Sequence, residues 1–224
     1  MGFLQRSANL ATYEWKRALA KKKLLVLVIL VLALQVGLFV LLYYFFTNPP
    51  PGFTITGPSL EEVKASMWLV GVLGTQSLFI PLIAIMIAGG SMSEEYEHGT
   101  ADILLSKPIT KIEYMTGKFL GGLSLLGFVI ALTTTLGAIL AYGFFGPQES
   151  IHFVPVIYLV LLYSNMLFFS MAFMFSEVIR RTTLSILAVI GILVASAFIG
   201  GILSAMYYNY GGGQIYLEIS KWLP

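Results

Sequence analysis

Cysteine is absent from this 224-residue sequence, which excludes disulfides, thiolate metal sites and cysteine nucleophiles. Histidine is nearly absent: His98 and His152 are the two present, and both lie outside the long apolar runs. The usual axial ligands of a membrane haem and the usual general base of an intramembrane hydrolase are therefore missing. Charge is scarce too. Asp, Glu, Lys and Arg make up 11%, against roughly a quarter in a soluble domain that must cover its surface. Hydrophobic residues reach 58% and mean hydropathy is +0.87, so lipid must serve as much of the solvent. A net charge of +2 gives no argument for a nucleic-acid partner.

What is present is long apolar sequence. A bilayer core of about 30 Å needs roughly 20 residues of helix to cross it. Five stretches qualify: 24–46, 67–92, 119–145, 153–175 and 184–206. None contains Asp, Glu, Lys, Arg or His. A spanning segment has to satisfy its own backbone hydrogen bonds, so the fold class expected is an all-α, polytopic membrane helix bundle. Residues 1–23 form a basic, interfacial lead-in, and 24–224 form the membrane domain.

Orientation follows from Lys and Arg. Of the 13, eleven fall on one side. They are Arg6, Lys16, Arg17, Lys21, Lys22 and Lys23 before the first span, Lys107, Lys111 and Lys118 in the second loop, and Arg180 and Arg181 in the fourth. Lys64 and Lys221 fall on the other. This predicts a cytoplasmic N-terminus in a cell membrane. The first apolar stretch is too long for a signal h-region and has no small-x-small site after it, so it reads as a retained anchor. Before it, "NLATYEWKRALAKKK" sets Ala11, Trp15, Ala18 and Leu19 on one helical face and turns Glu14, Arg17 and Lys21 away. A helix lying in the cytoplasmic headgroup layer is expected there. On the external side, Ser59 and Glu62 form a capping box that should start the helix into span two.

Within the spans the polar groups are neutral, which argues against proton relays and charged pores. Gln35, Gln76, Thr134 and Asn165 could line a path for a weakly polar substrate. Interhelical hydrogen bonds, each worth about 1 kcal/mol, are the favoured reading, because such clusters occur in bundles of every function. Small residues recur four apart at Gly117 and Gly121, and again at Ser196, Gly200 and the neighbouring Ala197, Gly201. They predict close helix packing, within the chain or against a second copy.

The segment 93–118, "SEEYEHGTADILLSKPITKIEYMTGK", holds eight of the 24 Asp, Glu, Lys and Arg residues. Span two is expected to continue as a polar helix through Glu94, Glu95 and Glu97 and to stop at Gly99. Thr100 should cap a short helix with Asp102 in its first turn and Leu104 and Leu105 displayed. Pro108 halts it. Thr110 and Glu113 form a second capping box that launches span three. A two-turn helix cannot stand alone in water. Three glutamates fit an anionic lipid surface poorly, so a soluble protein partner is favoured over the bilayer. Glu94 and His98 sit one turn apart but lack the further ligands of a metal site. Gly117-Lys118 lacks the other elements of a phosphate-binding loop. No nucleotide site is visible in this chain, and any ATP would be bound by another subunit.

This loop resembles that of type-2 ABC transporter permeases: a glutamate-rich end of span two, Gly-Thr, a Leu pair, Pro, and Gly-Lys opening span three. The matching residues are Glu94, Glu97, Gly99, Thr100, Leu104, Leu105, Pro108, Gly117 and Lys118. The basic helix before span one is similar to the family's amphipathic connecting helix. The resemblance implies cytoplasmic ABC ATPase subunits as partners, which bind the ATP and magnesium. It also implies a second permease, identical or related, and a coupling helix between spans two and three, with no cofactor in this chain. The family's usual six spans exceed the five here. Either a sixth span is missing from the sequence, or residues 207–224 lie along the outer interface. Two other classes fit the sequence less well. A membrane enzyme would need acid–base groups at the membrane face, for which Glu94, Glu95, Glu97, His98, Glu149 and His152 are the candidates. An independent channel or carrier is disfavoured by the charge-free spans.

Overall fold

The computed structural model describes residues 3–20, 22–48, 60–100, 110–149 and 151–210. Every regular element among them is helical: α1 (Phe3–Ala20), α2 (Lys22–Thr47), α3 (Leu60–Ala65), α4 (Met67–Gly89), α5 (Ser93–Glu97), α6 (Lys111–Phe145), α7 (Val154–Ile179) and α8 (Thr182–Tyr210), with one 3-10 turn at Ile151–Phe153. Five of these, α2, α4, α6, α7 and α8, are long and apolar enough to cross a membrane. The expected bundle is therefore present, with shifted ends. Ser59 of the external capping box, the coupling-helix residues Asp102, Leu104, Leu105 and Pro108, and the stretch 211–224 lie outside the described residues.

The core lies between α4, α6 and α7. Trp68, Ile80, Ile83 and Ile85 of α4 are fully buried with Leu126 and Ile130 of α6 and Phe169 of α7. Phe119 meets Phe169 and Phe173 edge-on at ring separations of 5.3 and 5.4 Å, a favoured aromatic geometry. Pro81 sits inside α4; neighbouring helices make such a break in the ladder tolerable in a membrane. By contrast α2 and α8 expose most of their apolar surface, with 17% and 11% of their spanning windows buried. Lipid, or another protein, must cover them.

A polar layer crosses the bundle centre. Gln35 Nε2 donates to the Thr133 carbonyl at 3.0 Å, and Gln76 Nε2 donates to Thr134 Oγ1 at 3.2 Å. Asn165 Nδ2 donates to the Leu161 carbonyl of its own helix at 2.7 Å. All four candidate lining residues are buried. Three of them bridge α2, α4 and α6, as interhelical bonding requires.

The small-residue positions divide. Gly117 and Gly121 receive Leu10, Ala11 and Glu14 of α1, which packs along the first turns of α6. Trp15 completes the contact, donating its indole N–H to Ser124 Oγ at 2.8 Å and meeting Phe128 edge-on. Close approach is thus used within the chain. In α8, Ser196 is buried, Gly200 is half-buried, and Ala197 and Gly201 face outward, with open space beyond Gly201.

Span three begins at Lys111, two turns before the apolar stretch, because its N-terminus is locally determined. The Thr110 side chain accepts from the Glu113 N–H at 3.2 Å, and the Thr110 N–H donates to Glu113 Oε2 at 2.8 Å. This is the expected capping box. Thr110→Ala is expected to lower thermal stability by about 1 kcal/mol and to increase hydrogen exchange over the first turn of α6. Unchanged exchange at Glu113 would show that the cap does not hold this end.

Candidate functional site

Span two does not run on as a polar helix, contrary to the sequence expectation. It ends at Gly89, turns through Gly90–Met92, and restarts as the five-residue α5. The physical reason lies in the backbone groups that the break frees. A helix end leaves carbonyls without intrahelical partners and carries partial negative charge. Two cations satisfy them. Arg17 Nη2 donates to the Gly90 carbonyl at 2.9 Å and Nη1 to the Ser91 carbonyl at 2.8 Å. Lys118 Nζ donates to the same Ser91 carbonyl at 2.9 Å. The freed N–H groups of Met92 and Ser93 donate to Ser176 Oγ of α7, at 3.1 and 2.8 Å.

Around this break the charges form one node. Lys118 Nζ lies 2.5 Å from Glu14 Oε1 and 2.6 Å from Glu95 Oε1. Arg17 pairs with Glu14 at 3.2 Å, Glu95 at 3.2 Å and Glu94 at 2.9 Å. The Tyr114 hydroxyl donates to Glu95. The Lys118 side chain is 0% exposed and that of Glu95 4%. Isolated buried charges are prohibitive; here each carboxylate has a cation and each cation has several acceptors, the arrangement that makes burial tolerable. For Arg17, burial works against the charged guanidinium, but Glu14, Glu94 and Glu95 outweigh it and raise its pKa.

A second set of contacts fixes α5 to the far helices. The Tyr96 hydroxyl donates to Glu177 Oε2 at 2.8 Å. Partial burial, then that bond and the Glu177 charge, raise the Tyr96 pKa to about 12. Arg180 stands over the Tyr96 ring at 4.8 Å, within cation–π range. It ends α7 in the left-handed conformation, at φ 56°. Glu97 accepts from the Thr182 N–H at 2.9 Å and from its hydroxyl at 2.8 Å, capping α8. On the other side of the loop, Lys111 pairs with Glu177 at 2.9 Å and Arg6 with Glu113 at 3.6 Å.

The sequence-predicted residues are therefore placed as follows. Glu94 and Glu97 flank α5, with Glu94 turned to Arg17 and Glu97 to Thr182. Gly99 follows the end of α5 at φ +67°, a conformation that glycine adopts without steric cost. The Thr100 hydroxyl donates back to the Glu95 carbonyl at 3.3 Å and so secures α5. Lys118, expected at the opening of span three among the partner-coupling residues, is sealed inside the node. Glu14 and Arg17, expected to turn away from the packed face of α1, point into it. Leu19, expected on that face, is 54% exposed.

Sequence reasoning missed Glu14, Arg17, Glu95, Tyr114, Ser176 and Glu177 as a set. One signal was available: a lysine between Gly117 and Phe119, at the mouth of a charge-free span, needs anionic partners. Among the described residues no group of three His, Asp or Glu side chains is placed to hold a metal ion. The node binds helices together; none of its groups is arranged as a nucleophile with an adjacent base.

Comparison with known proteins agrees with the loop resemblance. A family model described as ABC-2 family transporter protein matches residues 8–215. A search of curated proteins found no match.

Proposed function

Because the chain belongs to the ABC-2 family of transporter proteins, we propose that it is a permease driven in trans, with residues 101–109 as the lever on which a cytoplasmic ATPase acts. It is a multi-pass membrane protein and a permease-type component of an ABC transporter. In the proposed assembly the ATP and magnesium are bound by the ATPase subunits. A second permease, identical or related, completes the membrane pore, and the face carrying α1 is cytoplasmic, as the Lys and Arg distribution requires.

The observation that carries this reading is the fixation of both ends of the 101–109 segment. On one side α5 is tied to α1, α7 and α8 through Arg17, Ser176, Glu177 and Thr182. On the other, α6 is tied to α1 and α7 through Lys118, Arg6 and Lys111. In the proposed mechanism a push on the segment reaches these tied ends. It passes into α4 and α6, which form the bundle core, and into α8 through the cap on Thr182. An ATPase groove closing on Leu104 and Leu105 would so move spanning helices.

Leu104→Asp with Leu105→Asp tests this. The paired change removes two leucine side chains from a docking groove, each worth about 1.5–3 kcal/mol when buried. Recovery of an ABC ATPase with the affinity-purified full chain is expected to fall at least about tenfold. The melting temperature of the purified permease itself should stay unchanged. Undiminished ATPase recovery would refute the lever.

A further inference from the structure

Tyr163 of α7 is 81% exposed, more than any other large hydrophobic side chain described. Its depth makes that exposure costly. It follows Val154, the first residue of α7, by about 14 Å of helix, and it stands beside Asn165 of the central polar layer. A tyrosine carries its hydroxyl to the headgroups only from near a helix end, and this side chain is shorter than the distance left. The hydroxyl therefore lies at hydrocarbon depth, where no water serves it and an unpaired polar group is expensive. The neighbouring Ser164 escapes that cost by donating to the Val160 carbonyl of its own helix at 3.0 Å. The Tyr163 hydroxyl is carried outward on its ring, so its partner must come from outside the chain.

The residues around Tyr163 form a seam. Val156, Val160, Leu167, Met174 and Val178 are all exposed, and successive members, Tyr163 included, fall three, four or seven residues apart. This spacing sets them on one narrow stripe, the pattern by which a second helix packs at a small left-handed crossing. The two least buried spans differ. From Leu25 to Leu41 of α2, and from Leu184 to Met206 of α8, every exposed residue is apolar. Lipid can cover those faces without stranding a polar group; it cannot do so at Tyr163.

We infer that the α7 seam is the contact with a second copy of this chain, related by a twofold axis along the membrane normal, with the two Tyr163 hydroxyls hydrogen-bonded across it. Copies inserted in one membrane share an orientation, so a twofold contact between parallel α7 helices sets each seam residue opposite its own equivalent. A phenol hydroxyl both donates and accepts. It can therefore satisfy a copy of itself, which a group with one function alone cannot. The inference names the face of the second permease proposed above and rests on that permease being identical; it needs no ATPase.

Because the chain has no cysteine, single thiols can test this directly. Val156→Cys, Leu167→Cys and Met174→Cys lie along the seam, while Leu34→Cys and Phe198→Cys lie on the outward faces of α2 and α8. In membranes carrying the full chain, copper phenanthroline should link the three seam variants into dimers, since a disulfide needs Cβ atoms about 4 Å apart. The α2 and α8 variants should stay unlinked. Tyr163→Phe keeps the ring and removes the hydroxyl; it should raise the dimer dissociation constant in detergent about threefold or more without changing helix content. Linkage through Leu34→Cys or Phe198→Cys instead would overturn the seam while leaving an identical second copy in place. A chain monomeric in the membrane would overturn both, and ATPase recovery from the same membranes reports separately on the lever. Linkage of Leu167→Cys to a protein of different mass, or a dimer indifferent to Tyr163→Phe, would also overturn the inference.

Discussion

Lys118→Met is expected to destabilise the protein by about 3–5 kcal/mol, the cost of removing one partner from a buried ion pair. Methionine matches the lysine stem in length and leaves packing nearly intact, so the effect isolates the charge. Glu14 and Glu95 lose their shortest contacts, at 2.5 and 2.6 Å, and remain in a site where Glu95 is 4% exposed. The Ser91 carbonyl at the break in span two keeps only Arg17. For a chain of this length the loss corresponds to a fall in melting temperature of roughly 6–20 °C, readable by tryptophan fluorescence in detergent. Glu14→Gln in the same background should restore part of it, because one of the two stranded carboxylates is then neutral. Lys118→Met melting within 2 °C of the parent would show that the node is solvated and that Lys118 holds nothing, counting about 2 °C as under 1 kcal/mol.

That experiment also separates what could be read along the chain from what could not. The five spans were legible because each is a continuous apolar run, a property of a segment by itself. The capping box at Thr110 was legible for the same reason: cap and partner stand three residues apart, and both bonds form as expected. Gly99 ended its helix as its residue type suggests. The node was not legible, because it is a property of segments remote in sequence. Periodicity divides α1 into apolar and polar faces, but it does not say that the polar face can be buried against another polar surface. Glu14 meets Lys118 across 104 positions, and Arg17 meets Glu94 across 77. The break after Gly89 has a local sign in Gly89-Gly90-Ser91, small residues that weaken a helix, but what stabilises the interruption is remote: the supply of cations from α1 and α6 and of the Ser176 hydroxyl from α7.

The same remote packing sets the second large effect. Gly121→Val places a Cβ 2.8 Å from Ala11 Cα and 3.0 Å from Glu14 Cβ. The first of these is backbone, so no rotamer change relieves it. Either α1 lifts away from α6 or α6 bends. Overpacking of this kind costs about 1–3 kcal/mol, and the cheaper response is to displace the terminal helix, which has fewer neighbours than α6. Lifting α1 draws Glu14 and Arg17 out of the node together, so Arg17 should lose its bonds to Gly90, Ser91, Glu94 and Glu95 as a group. Trypsin reports on this directly. Cleavage after Arg17 should be slow in the parent, where the side chain is held by four acceptors outside its own helix, and at least about tenfold faster in Gly121→Val if α1 separates by about 1.4 kcal/mol more readily. Gly143→Val is the control, since it lies on the same helix with open space where its Cβ would stand; it should leave the cleavage rate alone. Equal cleavage in the parent and Gly121→Val would mean that α1 does not seat on α6, and the tie from the N-terminal helix to the coupling loop would then fail with it.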